Sequence, residues 1–547
     1  MFSRQLDRRP SERGSYAVRV EASEQDSGLR LSELVAAFSL ATDLGLGQPM
    51  EHVLRSWAIA ARLGDHLGVD PQERGALYYV ATLAWVGCVA DTPEVATWFG
   101  DDIAFRRNSY QVDLAGLPML GFMLRHVGTG GPAIQRLRLA TNLMVTGGKG
   151  IQRGLISHCL TTSKMAEQLG LGKEVCDPLL QMFTRWDGQG VPGDVGGDAI
   201  AFSMRLFHLA DIVEVYHRAE GVDAAIAVAQ ARRGKQFDPA IVDAFCACAP
   251  EVLGHTATEP DLGLILADEP ALQTRLTEGQ LDVALEAMAD FTDLRSPSRA
   301  GHSRAVADLA ARAATSIGLP QPDVVVLRRA GLLHDIGMHG IPATILEKAG
   351  PLSAPESERM RMHTYYTERM LAHPPSLARI GVIASLAQER CDGSGYHRGV
   401  SGQAIAFTGR LLAAACAYQA MIEPRAYRPA MTAKQATTEL HAEVRAGRLD
   451  AAAVEGVLTA AGQSKAKRRI APAGLTPREI EVLQLIARGA STRRVAQLLD
   501  ITLKTADTHI ERIYAKTGAS TRSTVTLFAM RSGLLEALNP SIRRENP

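Results

Sequence analysis

Hydrophobic residues recur at helical spacing through most of the chain, beginning near Leu29. Ala, Leu, Arg and Glu are abundant and aromatic residues make up only 5% of the chain, a composition that favours helix over strand. Residues 1 to about 27 are polar and charged, which predicts a disordered tail. We therefore predict an all-α fold.

The helical pattern is interrupted around 249–263 and again at 460–474, where small, basic, Pro and Gly residues replace the amphipathic spacing. A chain of 547 residues is expected to divide into domains of roughly 150 residues each. We predict a tail over 1–27, helical domains over 28–250 and 251–463, and a basic linker with a small helical domain over 464–547.

The last segment has the clearest helix boundaries. In "GLTPREIEVLQLIARG", Thr476, Pro477 and Glu479 form a predicted capping box, and Gly489 ends the helix. A second helix is predicted from Ser491, a third within "LKTADTHIERIYAKTG", and a last one over about 521–533. Short helices joined by a tight turn, with polar and basic residues outside, predict a helix-turn-helix.

The two large helical segments repeat one another. "RWDGQGVPGDVGGDAIAFSMRL" (185–206) matches "RCDGSGYHRGVSGQAIAFTGRL" (390–411) at an offset of 205 residues, which also relates His158 to His363. Upstream the offset is 250 and relates His52 to His302. We infer an internal duplication in which the first copy has about 45 extra residues between these blocks.

Charge is uneven along a chain whose formal net charge is zero. Residues 464–535 contain thirteen Lys or Arg residues against five Asp or Glu residues, an excess of eight positive charges. "KAKRR" (465–469) adds to this excess in the linker. A small basic helical module is the charge pattern expected of a DNA-binding domain.

The seven cysteines form no CxxC pair, so we expect reduced thiols and a cytoplasmic location. The N-terminal sequence has no apolar core typical of a secretory signal, and no apolar run is long enough to cross a bilayer. We expect no membrane association.

The second copy resembles the HD-GYP family of metal-dependent cyclic di-GMP phosphodiesterases. The similarity covers about 290–455, through "HSRAVADLA", "LLHDIG", "IPATILEKAGPLSAPESERMRMH" and "RCDGSGYH". The resemblance implies a helical HD-like domain in each copy. Its metal ligands would be His302, His334, Asp335 and His363, holding a divalent ion such as Fe, Mn or Zn.

Several family positions differ in this copy. Met338 stands where the family has a lysine, Ala387 and Gln388 replace a His-His pair, and Cys416 replaces an aspartate. His397 replaces the proline of the GYP motif. Because the loss of outer ligand partners alone costs about 10–100-fold in metal affinity or activity, we predict an incomplete metal site and no catalytic residues.

The first copy differs from the HD-GYP family at other positions. His52, His158 and Asp211 fall at ligand positions, but the His-Asp dyad is replaced by Ala84 and Trp85. Met182 and Phe183 take the place of the His-His pair. Side chains such as Ala and Phe cannot bind a metal, so we predict that this copy is degenerate.

The C-terminal module resembles the LuxR-type DNA-binding domain, through the pattern Leu475-Thr476-x-Arg478-Glu479, Val495-Ala496 and Lys504-Thr505. Ala506 stands where a bulkier Val is usual, and acidic Asp507 and Glu511 lie on the implied base-reading face. Carboxylates on that face can accept a hydrogen bond from the N4 amino group of cytosine. The residues predicted to contact DNA are Arg493, Lys504, Thr505, Thr508, Arg512 and Lys516.

These features predict a cytoplasmic bacterial transcription regulator that binds promoter DNA as a homodimer on paired half-sites. The HD-like domains would serve as sensory or dimerisation modules, with a small molecule or cyclic dinucleotide as the ligand implied by the resemblance. One alternative is a metal-dependent cyclic di-GMP phosphodiesterase fused to a DNA-binding domain. Another is a scaffold in which the HD-like domains only pack against each other; for the metal site itself, the alternative is that His302, His334, Asp335 and His363 only form hydrogen bonds in a polar core.

Overall fold

The structure, a computed structural model, describes residues 26–146, 149–254, 270–372, 375–462, 472–532 and 534–535. The predicted tail up to residue 25, most of the predicted break at 249–263 and the linker residues 464–471 lie outside the described residues. The strand that begins at Asp26 includes the last two residues of the predicted tail.

The described residues are almost entirely helical, which confirms the all-α prediction. Their strands are Asp26–Arg30 and Arg275–Thr277, which pair antiparallel with Asp26 opposite Thr277 and Arg30 opposite Arg275. Each strand directly precedes the first helix of one copy. The ribbon therefore ties the beginnings of the two copies together.

The first copy contains twelve described α-helices and the 3-10 turn Gly197–Ala199. The α-helices are Leu31–Leu46, His52–His66, Pro71–Leu83, Cys88–Phe99, Asp102–Ser109, Gly116–His126, Ala133–Thr146, Lys149–Gln168, Lys173–Leu179, Phe202–Glu220, Val222–Ala231 and Pro239–Leu253.

The second copy is more compact along the sequence. Its α-helices are Glu278–Leu294, His302–Ser316, Gln321–Leu333, Ala343–Leu346, Ala354–Leu371, Pro375–Ala384, Phe407–Ile422, Ala433–Arg445 and Ala451–Gly462. Its 3-10 turns are Pro270–Leu272, Pro297–Arg299, Ile336–Gly340, Ser385–Gln388 and Gly402–Ala404.

Equivalent local structures recur at the two sequence offsets. The helices His52–His66 and His302–Ser316 both start after a residue with left-handed backbone, at φ 71° for Glu51 and 81° for Gly301. The 3-10 turns Gly197–Ala199 and Gly402–Ala404 are 205 residues apart. These repeats support the predicted duplication, while the domain boundaries themselves stay a prediction.

The C-terminal module consists of the 3-10 turn Pro472–Gly474 and the helices Pro477–Ala487, Thr492–Leu498, Leu503–Thr517 and Arg522–Arg531. Thr476 caps the first helix, and its hydroxyl accepts from the Glu479 N–H while the Glu479 carboxylate accepts from the Thr476 N–H. The capping box predicted from the sequence is present.

One continuous hydrophobic core runs through both copies and the C-terminal module, from Leu29 to Leu535. A buried ion cluster also joins the copies. Asp102 accepts from Arg295 at 2.9 Å and from the Ala343 N–H at 2.9 Å, while Arg106 of the first copy donates to the same carboxylate at 2.9 Å. Because such a cluster is expensive to open, the two copies are expected to behave as one body.

Candidate functional site

The second copy brings the four predicted ligands together in one buried pocket. His302 opens a helix, His334 ends another, Asp335 follows it, and His363 lies within Ala354–Leu371. The Oδ2 atom of Asp335 lies 3.3 Å from His334 Nε2 and 3.8 Å from His302 Nε2, and Oδ1 lies 3.7 Å from His363 Nε2. None of the four is more than 1% exposed.

The outer nitrogens of the three imidazoles fix their orientation. His334 Nδ1 is 2.8 Å from the Gly331 carbonyl oxygen, and His363 Nδ1 is 2.6 Å from that of Met360. Both carbonyls can only accept, so these Nδ1 atoms carry the hydrogen and the Nε2 lone pairs face the pocket. His302 Nδ1 lies 2.8 Å from a carboxylate oxygen of Glu423. This is the orientation that metal-binding histidines adopt.

Burial also sets the protonation state of these histidines. It lowers the pKa of His302 and His363 to about 4, and it places the pKa of His334 well below its ordinary value. Near neutral pH all three imidazoles are therefore neutral, the form that coordinates a metal.

Two of the substituted positions change the chemistry of the pocket. Cys416 replaces a family aspartate, yet its Sγ lies 3.7 Å from His334 Nε2, and donor atoms of His302, His334 and Cys416 all lie within 4.8 Å of one another. Burial raises the pKa of the Cys416 thiol. The Gln388 amide donates to Cys416 Sγ at 3.5 Å. A thiol in this place favours soft ions over the hard ions that a carboxylate would select.

Two further substitutions, Ala387 and Met338, supply no ligand. Ala387 is buried and carries only a methyl group. Met338 packs with Ile341 and Ile345 in a small apolar cluster, so no amine occupies the position that the family gives to a lysine. The groups that would complete a hydrolytic centre are therefore absent from these two positions.

Arg299 enters the pocket and was missed by the sequence analysis. Its guanidinium makes an ion pair with Asp335 Oδ2, although the residue lies three positions before His302 in the turn Pro297–Arg299. Apart from this ion pair, neither oxygen of Asp335 has a hydrogen-bond partner among the described residues. The three imidazoles and one carboxylate are groups that bind divalent metals, but the Arg299 guanidinium already contacts that carboxylate.

The equivalent pocket of the first copy is filled by its own ion cluster. His52 Nδ1 lies 2.5 Å from Glu214 Oε2, and His52 Nε2 lies 3.1 Å from Asp211 Oδ1. Trp85 Nε1 donates to the same Asp211 oxygen at 3.1 Å. Burial alone would lower the pKa of His52, but Glu214 and Asp211 raise it to about 10.

The remaining predicted ligand of this copy points elsewhere, because His158 Nε2 hydrogen-bonds the Ala84 carbonyl oxygen at 2.8 Å. The His52 cluster therefore places a protonated imidazole between two carboxylates where the HD family would place metal ligands.

The helix Leu503–Thr517 presents the predicted DNA-contacting face. Lys504, Thr505 and Arg512 are exposed and Thr508 is half-buried, while Arg493 is exposed on the preceding helix. Lys516 instead donates to Glu479 Oε2 at 2.7 Å and to the Gly474 carbonyl at 3.0 Å. Arg493, Lys504, Thr505 and Arg512 are thus open to solvent, and contact of all six side chains with DNA stays a prediction.

The last helix of the module, Arg522–Arg531, packs on both copies through helices Glu278–Leu294 and Lys149–Gln168. Its buried Ser523 hydroxyl donates to the Ala90 carbonyl oxygen at 3.0 Å. Between the three parts lies a cavity of about 260 Å³, lined by residues that include Trp98, Pro297 and Arg522. The module is thus anchored by the helix that does not carry the predicted DNA-contacting residues.

Comparison with protein families identifies the second copy and the C-terminal module. Residues 286–453 match the model of an HD domain, and residues 473–529 match that of bacterial regulatory proteins of the luxR family. The chain carries an HD domain and a LuxR-type domain. The match confirms the two resemblances inferred from the sequence.

Similar proteins are HD-GYP phosphodiesterases. The chain is 29% identical over 407 residues to 3'3'-cGAMP-specific phosphodiesterase 3 of Vibrio cholerae, which covers 73% of this chain and 88% of the relative. It is 34% identical over 158 residues to a cyclic di-GMP phosphodiesterase of Thermotoga maritima, covering 28% of this chain and 43% of the relative.

A crystal structure of a V. cholerae cyclic GMP-AMP-specific phosphodiesterase superposes with a TM-score of 0.57 at 25% identity, covering 79% of this chain and 98% of the other.

The alignment with 3'3'-cGAMP-specific phosphodiesterase 3 covers 407 residues, whereas the HD match covers 168. That similarity therefore extends beyond the HD domain into the first copy. None of the described helices combines the length and apolarity required to span a membrane.

Proposed function

We propose that this protein is a transcription regulator that binds double-stranded promoter DNA through its LuxR-type domain. The observation that carries the proposal is the exposed polar face of helix Leu503–Thr517 on a domain whose last helix is anchored to the body. Exposed Arg493, Lys504 and Arg512 supply positive charge towards phosphates. Exposed Asp507 and Glu511 would restrict which bases are accepted.

The two copies would act as a sensory and dimerisation body. A ligand with the chemistry of a small molecule or a cyclic dinucleotide is supported by the similarity to phosphodiesterases acting on such substrates. A homodimer would match paired half-sites on DNA, since helix-turn-helix proteins commonly bind in that way. DNA binding implies that the protein acts in the cytoplasm.

A binding assay with matched variants tests the DNA contact. Lys504 and Thr508 share a helical turn in which the Thr508 hydroxyl donates to the Lys504 carbonyl at 2.9 Å. Lys434 and Thr438, both exposed, form the same hydrogen bond on the second copy, at 3.0 Å. The double variant Lys504→Ala/Thr508→Ala should reduce affinity for promoter fragments by about 10- to 100-fold, while Lys434→Ala/Thr438→Ala should not.

Promoter fragments for this assay would come from genome-wide occupancy mapping of the wild-type protein. The salt dependence of binding should also become shallower, by about one unit in log–log slope for the lost lysine. Equal occupancy of wild type and Lys504→Ala/Thr508→Ala across the genome would contradict the assignment of the recognition helix.

A second candidate function is metal-dependent hydrolysis of a cyclic dinucleotide. It is favoured by the convergence of His302, His334, Asp335 and His363, whose Nε2 and carboxylate atoms could hold a divalent ion such as Fe, Mn or Zn. Such an ion would supply an activated water. Met338, Ala387 and Gln388 weigh against it, because they remove the groups that the family places around that ion.

Turnover assays with 3'3'-cGAMP and cyclic di-GMP, in the presence of Mn²⁺ or Fe²⁺, separate the two candidates. The regulator proposal expects no turnover above that of a His334→Ala/Asp335→Ala variant. Turnover that this double variant abolishes would establish the enzyme instead.

A further inference from the structure

The carboxylates beside the ligand histidines of the HD pocket are held in ion pairs with arginines. Asp335 pairs with Arg299, and Glu423 lies 3.0 Å from Arg425. Each of these two carboxylates is thereby matched by a guanidinium, which keeps its proton in proteins.

A divalent ion held by this pocket would need the same carboxylate oxygen. Among the four predicted ligands, only Asp335 is anionic, and its Oδ2 is the atom nearest to both His302 Nε2 and His334 Nε2. Metal–oxygen bonds to a carboxylate are about 2.0–2.2 Å long. An ion at that distance from Oδ2 would lie against the guanidinium that already contacts it, and two cations so close repel strongly at low dielectric.

We propose that Arg299 is the resident cation of the HD pocket, and that a divalent metal ion can bind there only when the Arg299 side chain has left Asp335. The inference is independent of the proposed function, because metal binding is measured without DNA. It explains how three histidines keep the orientation of metal ligands in a site that lacks several family residues. Arg299 satisfies the buried carboxylate that they surround.

Arg299 lies next to residues that contact the LuxR-type domain, so replacement of its side chain by a metal ion at Asp335 would be felt at that contact. Pro297, in the same 3-10 turn, packs so closely on Gly489 that a Cβ at Gly489 would lie 2.9 Å from the Pro297 Cβ. On the other side of Arg299, a Cβ at Gly301 would lie 3.4 Å from Leu535. The residues flanking Arg299 therefore form part of the surface on which the LuxR-type domain rests.

Metal titration of the full-length protein tests the exchange. Wild type, Arg299→Ala, Arg299→Gln and Arg299→Lys are stripped with a chelator, dialysed against MnCl₂ or ZnCl₂, and analysed for bound metal and for affinity by calorimetry. The two neutral variants should bind about one equivalent of metal, at least about 100-fold more tightly than wild type. Arg299→Lys should behave like wild type because it keeps the positive charge.

Arg425→Ala is the matched control for loss of an arginine near the pocket. Its guanidinium faces Glu423 and His302 rather than Asp335, so its removal should raise affinity far less than Arg299→Ala does. Wild-type protein that binds about one equivalent as tightly as the neutral variants would overturn the inference. An equal gain in Arg425→Ala and Arg299→Ala would overturn it too. If Arg299→Ala fails to fold, Arg299→Gln provides the same measurement.

Hydrogen exchange tests the path to the LuxR-type domain. Adding Mn²⁺ to Arg299→Gln should change exchange at 487–489 and in helix Arg522–Arg531, whereas Arg299→Lys should show no change. Bound metal with unchanged exchange in these segments would refute the coupling to the LuxR-type domain.

Discussion

The ion cluster of the first copy leads to a quantitative prediction about His52. The pKa of His52 is raised from 6.5 to about 10, because Glu214 and Asp211 outweigh the effect of burial. A difference of that size corresponds to roughly 5 kcal/mol of stability, as an upper limit, since one pKa unit is about 1.4 kcal/mol. Replacing His52 by Gln keeps a hydrogen-bond donor but removes the charge, so we expect a loss of about 3–5 kcal/mol.

The pH dependence follows from the direction of the shift. A group whose pKa is raised on folding contributes its full stabilisation below its unfolded pKa of about 6.5. That stabilisation is lost as the pH rises through the folded value of about 10. The difference in unfolding free energy between wild type and His52→Gln should therefore be largest at and below about pH 6.5 and shrink as the pH rises towards 10.

Tryptophan fluorescence makes the measurement specific to this copy, because all four tryptophans lie at positions 57, 85, 98 and 186. Urea unfolding followed by fluorescence is performed at several pH values. His66→Gln is the control, since exposed His66 lies 3.6 Å from Glu251 and such surface pairs contribute at most about 1 kcal/mol. A loss below about 1 kcal/mol in His52→Gln, or a difference that does not vary with pH, would refute the argument.

Three further predictions concern packing, capping and metal choice. Gly337→Ala should lower the free energy of unfolding by about 3 kcal/mol or more, measured by calorimetry, because its methyl group would collide with a carbonyl oxygen of the adjacent helix. The control variant Gly350→Ala places its methyl group where no atom lies within 4 Å, so it should leave the stability nearly unchanged. Thr476→Ala should cost about 1 kcal/mol, seen as faster hydrogen exchange at the start of its helix, and unchanged exchange would contradict the role of the cap. In the Arg299→Ala background, Cys416→Asp should shift competition between metals from zinc towards manganese, and an unchanged ratio would show that the thiol does not reach the ion.

Local features of the site could be predicted from the sequence because they depend on neighbouring residues. The capping box at Thr476 and Glu479 follows from spacing within one turn, and the structure contains it. The convergence of His302, His334 and His363 could be anticipated because the family resemblance supplied the long-range pairing that spacing alone does not contain.

Long-range side-chain contacts could not be predicted in this way. The contact of Arg299 with Asp335 depends on the direction in which a short turn projects one side chain, and its only sequence signal was an arginine three residues before a ligand histidine. The contact of Lys516 with Glu479 joins residues 37 positions apart and has no signal in the sequence around either residue. The Ser523–Ala90 hydrogen bond spans 433 residues and reflects the docking of whole domains.

The LuxR-type domain is anchored to both copies by contacts outside the helix Leu503–Thr517. Ser523 is bonded to the first copy, and Gly489 rests on Pro297 of the second, so the domain is held by both copies at once. Any change that moves one copy against the other must break a buried hydrogen bond or a close packing contact. The recognition helix Leu503–Thr517 packs on helices of its own domain and keeps its polar face towards solvent. The contacts that anchor the domain therefore lie apart from the face predicted to contact DNA, so a variant at Ser523 or Gly489 alters the docking without altering the residues predicted to contact bases.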